Sequence, residues 1–379
     1  MKKQLLALAV AGAFAVPAMA QVTISGVIDA RALVAEKVSS NTTDPATTGN
    51  VKTQGVGNGV ATDGFATSQL VFTASEDLGG GLRATAYFAQ RLTNTLGERD
   101  RYLDLTGGFG GIRVGRFNPT FTSNWNTLTG LGTTGNAGSH YQFITTGQLT
   151  AVGSATNLMA RSAFSVGTFE RQDSGLQYTS PNMSGFVAAA GLFNATLDTT
   201  GTSTAFSNKV KSQQYYATLN YTAGPLAVGA GFAQKKTGTE SATFVNNKGK
   251  ANWLGASYDL KVVRLHATYT TRDDKTTNST GVTTTNNDAN LITLAASMPL
   301  GATTLRLSIY DGKDKAGNGA ADDGKLKGYQ LSAVYDLSKR TSLYAVIGQN
   351  KYTANQLGST LATGSRKYDG YSLGLRHTF

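Results

Sequence analysis

The sequence contains no cysteine, which excludes disulfide staples, thiolate metal sites and cysteine nucleophiles. Proline is scarce, at 6 of 379 residues, and charged residues make up only 15%, below the roughly one quarter usual in soluble domains. That composition fits neither a disordered tail nor a small disulfide scaffold. Acids are the minority charge, 23 against 34 bases, for a formal charge of +11. There is no run of basic residues, so the excess does not read as a nucleic-acid-binding arm. The three histidines, His140, His266 and His377, lack metal-ligand spacing. No Gly-x-Ser-x-Gly occurs, and Gly79-Gly-Gly81 is not followed by the Lys-Ser/Thr of a phosphate loop. Beyond residue 20, no stretch reaches the roughly 18 uninterrupted apolar residues of a spanning helix.

What the sequence does have is glycine and aromatics: 45 Gly, 16 Tyr and 16 Phe. It opens with Lys2 and Lys3, an apolar run, and Ala18-Met19-Ala20 before Gln21, the pattern of a secretory signal. Cleavage after Ala20 leaves residues 21–379 as one domain; loss of Lys2 and Lys3 lowers the formal charge from +11 to +9. An exported chain without a spanning helix can still cross a membrane, provided that its strands close into a barrel with no unpaired edge.

The last stretch supports that route. Tyr371, Leu373, Leu375, His377 and Phe379 alternate with Ser372, Gly374, Arg376 and Thr378, which gives an extended strand one apolar and one polar face. Similar segments are predicted at 22–36, 67–76, 82–91, 99–106, 112–117, 173–179, 186–193, 212–221, 226–235, 251–258, 263–272, 289–298, 303–311, 328–335, 341–350 and 368–379. Short turns such as Asp77-Leu-Gly-Gly-Gly81 and Thr222-Ala-Gly-Pro225 alternate with long polar connections such as 38–66 and 118–172. The predicted class is all-β: a sixteen-stranded antiparallel transmembrane barrel with short periplasmic turns and long outer loops. Alternation alone would also suit a soluble sandwich. Strand ends discriminate: Tyr178, Tyr221, Tyr258, Tyr335 and Phe379 lie on the apolar face beside a short turn or the final residue, as an interfacial girdle requires.

Several segments carry a family resemblance. Ser75-Glu-Asp-Leu-Gly-Gly-Gly-Leu-Arg-Ala84, Leu105-Thr-Gly-Gly-Phe-Gly-Gly-Ile-Arg-Val-Gly-Arg116, Arg171-Gln-Asp-Ser-Gly-Leu-Gln-Tyr-Thr-Ser-Pro181, Tyr335-Asp-Leu-Ser-Lys-Arg-Thr-Ser-Leu-Tyr344 and the final strand resemble the trimeric Gram-negative porin family, in its neisserial and β-proteobacterial branch. The resemblance implies a water-filled outer-membrane channel that is not an enzyme and needs no cofactor, with a third loop folded inward to narrow the pore. It also implies a homotrimer in contact with outer-membrane lipid and lipopolysaccharide, its C-terminal strand read by the barrel-assembly machinery.

The third loop, Asn118 to Gln172, is the longest connection, a length that points to function. From Asn118 to Phe169 it has no acid; it carries Arg161 and His140, with Glu170 at its base. A low-dielectric wall focuses such a field, so the narrows are expected to be positive. The resemblance carries Arg116 and Arg171 onto positions that line the constriction. Alternation independently points Arg264, His266, Arg306 and Arg376 inward, and Arg83 and Arg91 share one face of the third strand. Gln69 follows Ser68 where the family often has an arginine, which weakens the expected preference. The function read from these residues is passive diffusion of small hydrophilic solutes and ions, with modest anion preference. Two other readings stay open: a barrel protease or lipase with a rim site, and an adhesin whose Thr/Asn/Gly loops do the work. Asp311, Asp314, Asp322 and Asp323 read as a solvated loop tip, with a divalent-ion or lipopolysaccharide bridge as the alternative. The resemblance implies a second loop that latches onto a neighbouring subunit; here that loop, Leu92 to Glu98, is short, and the long first loop is the candidate substitute.

Overall fold

The computed structural model describes residues 21–41, 49–56, 67–92, 97–130, 169, 171–199, 208–240, 245–315, 324–353 and 365–379. The expected signal segment, 1–20, lies outside them. The described residues form β1 (Gln21–Asn41), β2 (Gly49–Val56), β3 (Gln69–Gly79), β4 (Leu82–Arg91), β5 (Gly97–Gly107), β6 (Gly110–Phe117), helix α1 (Thr120–Leu128), β7 (Gln172–Thr179), β8 (Phe186–Thr199) and β9 (Asn208–Ala223). They continue with β10 (Leu226–Glu240), β11 (Val245–Asp259), β12 (Arg264–Thr277), β13 (Thr283–Leu300), β14 (Thr303–Asp314), β15 (Gly324–Asp336), β16 (Thr341–Thr353) and β17 (Ser365–Thr378).

From β3 to β17 each strand pairs antiparallel with the next, and β1 pairs with β17 from Val27↔Thr378 to Asn41↔Ser365, closing the sheet. The other edge of β1 is shared: β3 takes Gln21 to Val27, and β2 takes Ala32 to Ser40. Both run antiparallel to β1, so they are two pieces of one wall strand, and the barrel has sixteen. At the seam Gly26 N–H donates to Phe379 O at 3.0 Å and Phe379 N–H to Gly26 O at 3.1 Å.

The outer ends of the strands overshoot the sequence prediction. Residues 38–66 were expected as loop, yet β1 runs to Asn41 and β2 pairs with it. Likewise β10 and β11 stay paired out to Thr239↔Val245, across a stretch expected as loop from 236 to 250. Alternating hydrophobicity marks only the span that touches lipid. Above it both faces meet water, so ladder bonds continue without a pattern in the side chains.

Burial is inverted relative to a soluble domain. Leu103, Val114, Leu219, Leu254, Ile292 and Leu307 are exposed on the outside, while Thr218, Thr268, Thr293, Ser308, Gln330 and Ser332 are buried on the inside. Tyr178, Tyr258, Tyr335 and Phe379 are exposed at the short-turn end. Tyr178 also donates its hydroxyl to Phe109 O at 2.7 Å, and Tyr221 packs on Phe186 with centroids 4.4 Å apart. Each tyrosine has an apolar ring and a polar hydroxyl, the chemistry of a membrane–water boundary. No helix of the described residues is long and apolar enough to cross a membrane.

Candidate functional site

The lumen is narrowed by α1, the start of the third loop. Its sequence, Thr-Phe-Thr-Ser-Asn-Trp-Asn-Thr-Leu, has poor helix propensity, no side-chain N-cap and no acid in the first turn. It is helical because the wall completes it. Phe121, Trp125 and Leu128 recur on one face and are buried. They join Phe117, Phe169, Phe193, Tyr216, Ala233, Ala251 and Trp253 in an apolar cluster inside the barrel. Wall polar groups satisfy the helix ends: Thr120 N–H donates to Gln177 Oε1 at 3.2 Å, and His266 Nδ1 lies 3.2 Å from Leu128 O. Trp125 Nε1 donates to Thr270 Oγ1 at 2.9 Å, and Trp253 Nε1 donates to Phe121 O at 3.0 Å. The helix approaches closely because Gly229 and Gly255 pair across β10 and β11. A Cβ on either would meet Leu128 at 2.9 Å.

The rest of the lumen is lined by charge. Gln69 is the cross-strand neighbour of both Val27 and Arg91, and Arg91 and Arg83 share the inner face of β4 with buried Ala89. Arg306 shares the inner face of β14 with buried Ser308 and Tyr310. Arg376 faces inward on β17 opposite Asp29, and its Nε is buried with no hydrogen-bond partner. Arg264 sits at the short-turn mouth, half-exposed and paired with Asp259 at 2.6 Å. Arg171 forms an ion pair with Asp100. Arg161 and His140 lie outside the described residues.

Arg116 requires a correction. It shares the face of Ile112 and Val114 and stands opposite Arg101, on the outer surface. There its Nη1 bonds Asp173 Oδ2 at 2.8 Å, and Arg101 bonds Glu98 at 3.1 Å. The reason is local: the β6–β7 register slips between Gly115 and Phe117, and Ser174 takes φ 56°, so Asp173 is brought outward beside Arg116.

Some lumen residues escaped the sequence reading. Arg113 bonds Asp104 twice, at 2.7 and 2.8 Å, and lies 3.8 Å over the Tyr102 ring. Asp29 is fully buried and accepts a 2.6 Å bond from Tyr344 OH. Arg113, between Ile112 and Val114, had the inward parity that would have found it. Asp274 is likewise tied to Arg272 at 2.6 Å. Among the described residues the acids Asp100, Asp104 and Asp274 are thus matched by arginines, while Arg83 and Arg376 have no acid within salt-bridge distance.

Known proteins share this architecture. A family model described as Gram-negative porin matches residues 7–355. Over the full length of both chains the sequence is 28% identical to outer membrane porin protein 32 of Delftia acidovorans. It is 26% identical to the major outer membrane protein P.IB of Neisseria meningitidis serogroup B, again over both full chains. A solved anion-selective porin from Comamonas acidovorans matches with a TM-score of 0.63 at 24% identity, over 95% of this chain and 100% of that one. A trimer form of OmpT from Vibrio cholerae matches with a TM-score of 0.58 at 14% identity, over 95% and 99%. The closed barrel with its apolar exterior agrees with these likenesses, and the chain belongs to the Gram-negative porin family as a channel of the outer membrane.

Proposed function

We propose that the channel passes small hydrophilic solutes and ions by passive diffusion, with a modest preference for anions. The observation that carries the preference is the pairing of charge on the inner wall: Asp100, Asp104 and Asp274 are each tied to an arginine and Asp29 is buried, whereas Arg83 and Arg376 form no ion pair among the described residues. The acid-free stretch from Asn118 to Phe169 adds no negative charge to the narrows. The structurally similar porin from Comamonas acidovorans is anion-selective, which supports the same sign. Gln69, where an arginine would add charge, keeps the preference modest. Transport of this kind needs no reaction, so the protein is proposed to be a channel and not an enzyme.

The assembly is proposed to be a homotrimer set in outer-membrane lipid and lipopolysaccharide. Its first 20 residues are proposed to be a signal removed between Ala20 and Gln21, and its C-terminal strand the segment read by the barrel-assembly machinery. Reversal potentials in a KCl gradient across planar bilayers test the selectivity. An anion-preferring sign is expected; a cation-preferring one overturns the preference, and absence of conductance overturns the channel.

A further inference from the structure

One row of rings crosses the inner wall. Tyr216 lies 6.0 Å from Phe193, Phe193 4.9 Å from Phe117, and Phe117 6.4 Å edge-on to Tyr102. Tyr102 then stacks on Tyr87, with centroids 4.8 Å apart and planes within 8°. The row begins in the buried cluster that holds α1 and ends at Tyr87. Tyr102 is covered on both faces, by Tyr87 and by the Arg113 guanidinium. Among the described residues Tyr102 is the single ring or cation partner of Tyr87, which is partly buried.

The wall beyond Tyr87 is low. Its cross-strand neighbour on β3 is Thr73, and the neighbour of Thr73 on β1 is Thr23. Neither is bulky enough to stack. The helix α1 packs against β9 to β12, on other strands than those that carry Tyr87 and Thr73. Two cations flank the ring on the same strand face, Arg83 four residues before Tyr87 and Arg91 four residues after. At 3.3 Å per residue each Cα is about 13 Å from that of Tyr87. An arginine side chain and a carboxylate on a one- or two-carbon arm of a benzene ring can close that distance between them.

We propose that the face of Tyr87 turned away from Tyr102, with Arg83 and Arg91 to either side, is a weak subsite for small aromatic carboxylates. The ring of the solute stacks on Tyr87 and its carboxylate meets a flanking guanidinium. This rests on the porin reading and narrows the class of solute that the pore favours. Weak binding suits the task, since a solute that enters must also leave.

The test uses the full-length protein in planar bilayers, reading the reduction of KCl current by phenylacetate and by cyclohexylacetate. The two acids share charge and approximate size, but only one has an aromatic face. Phenylacetate is expected to block at about a 2- to 12-fold lower concentration, the range that one aromatic stack supplies. Tyr87→Phe is expected to keep that ratio and Tyr87→Leu to bring it to one. Arg83→Gln with Arg91→Gln is expected to weaken both acids equally. Phe88→Leu, on the lipid side of the same strand, is expected to change neither. Equal block by the two acids in the unmodified channel overturns the subsite while leaving the porin intact, as does a ratio that survives Tyr87→Leu. A protein that conducts nothing takes both readings down.

Discussion

Replacing Trp125 by alanine tests whether α1 narrows the pore. A nine-residue helix is not stable alone in water, so its conformation depends on docking. Trp125 is 3% exposed, packs in the cluster with Phe121, Leu128 and Trp253, and donates its indole N–H to Thr270. Removing a buried tryptophan costs about 3–5 kcal/mol, of which the lost hydrogen bond is about 1. At about 1.4 kcal/mol per factor of ten, the docked helix loses a factor on the order of a hundred to a few thousand against undocked states. The barrel ladder does not pass through Trp125, so the wall is expected to stay closed. Single-channel recording is expected to show larger and noisier conductance, while unboiled protein keeps its heat-modifiable migration on a gel. Trp253→Phe, which keeps a ring but drops the bond to Phe121 O, is expected to move conductance the same way by less. Native migration with unchanged conductance in Trp125→Ala would refute the idea that α1 forms the narrows.

Three further expectations follow from the wall. Arg306→Gln combined with Arg376→Gln is expected to move the reversal potential toward cations, whereas Arg116→Gln, on the outer surface, is expected to leave it in place; a shift in the latter would return Arg116 to the lumen. The anion preference is expected to shrink between about 0.1 M and 1 M KCl, as the screening length falls from about 10 to 3 Å; constancy would locate its source in steric fit. Tyr344→Phe removes the 2.6 Å bond to buried Asp29 and is expected to destabilise the barrel by about 1–3 kcal/mol, read as a lower unfolding temperature in detergent.

The strands and their facing were legible because lipid on one side and water on the other impose period two, and Arg83, Arg91, Arg306 and Arg376 followed from it. Alternation would also have turned Arg116 outward with Ile112 and Val114; family resemblance pulled it inward against that pattern. The helix α1 was hidden because its threonines and asparagines predict no helix, although Phe121, Trp125 and Leu128 repeat at helical spacing. What no local pattern encodes is contact across the lumen. Trp125 with Thr270 and Asp29 with Tyr344 are separated by 145 and 315 residues and meet only once the sheet has closed.

Among the described residues the pairing of β1 passes from β3 at Val27 to β2 at Ala32, and the Ser68 hydroxyl bridges the interval by accepting from Asp29 N–H at 3.0 Å. A hoop that closes despite one interrupted stave tolerates lengthening at the interruption. Doubling the length of the connection there adds only about 0.6 kcal/mol of closure entropy, whereas an insertion in any continuous strand would shift every rung beyond it. The junction between β2 and β3 is therefore one position where an affinity handle or fluorophore-bearing peptide can be grafted with little mechanical disturbance to the cylinder.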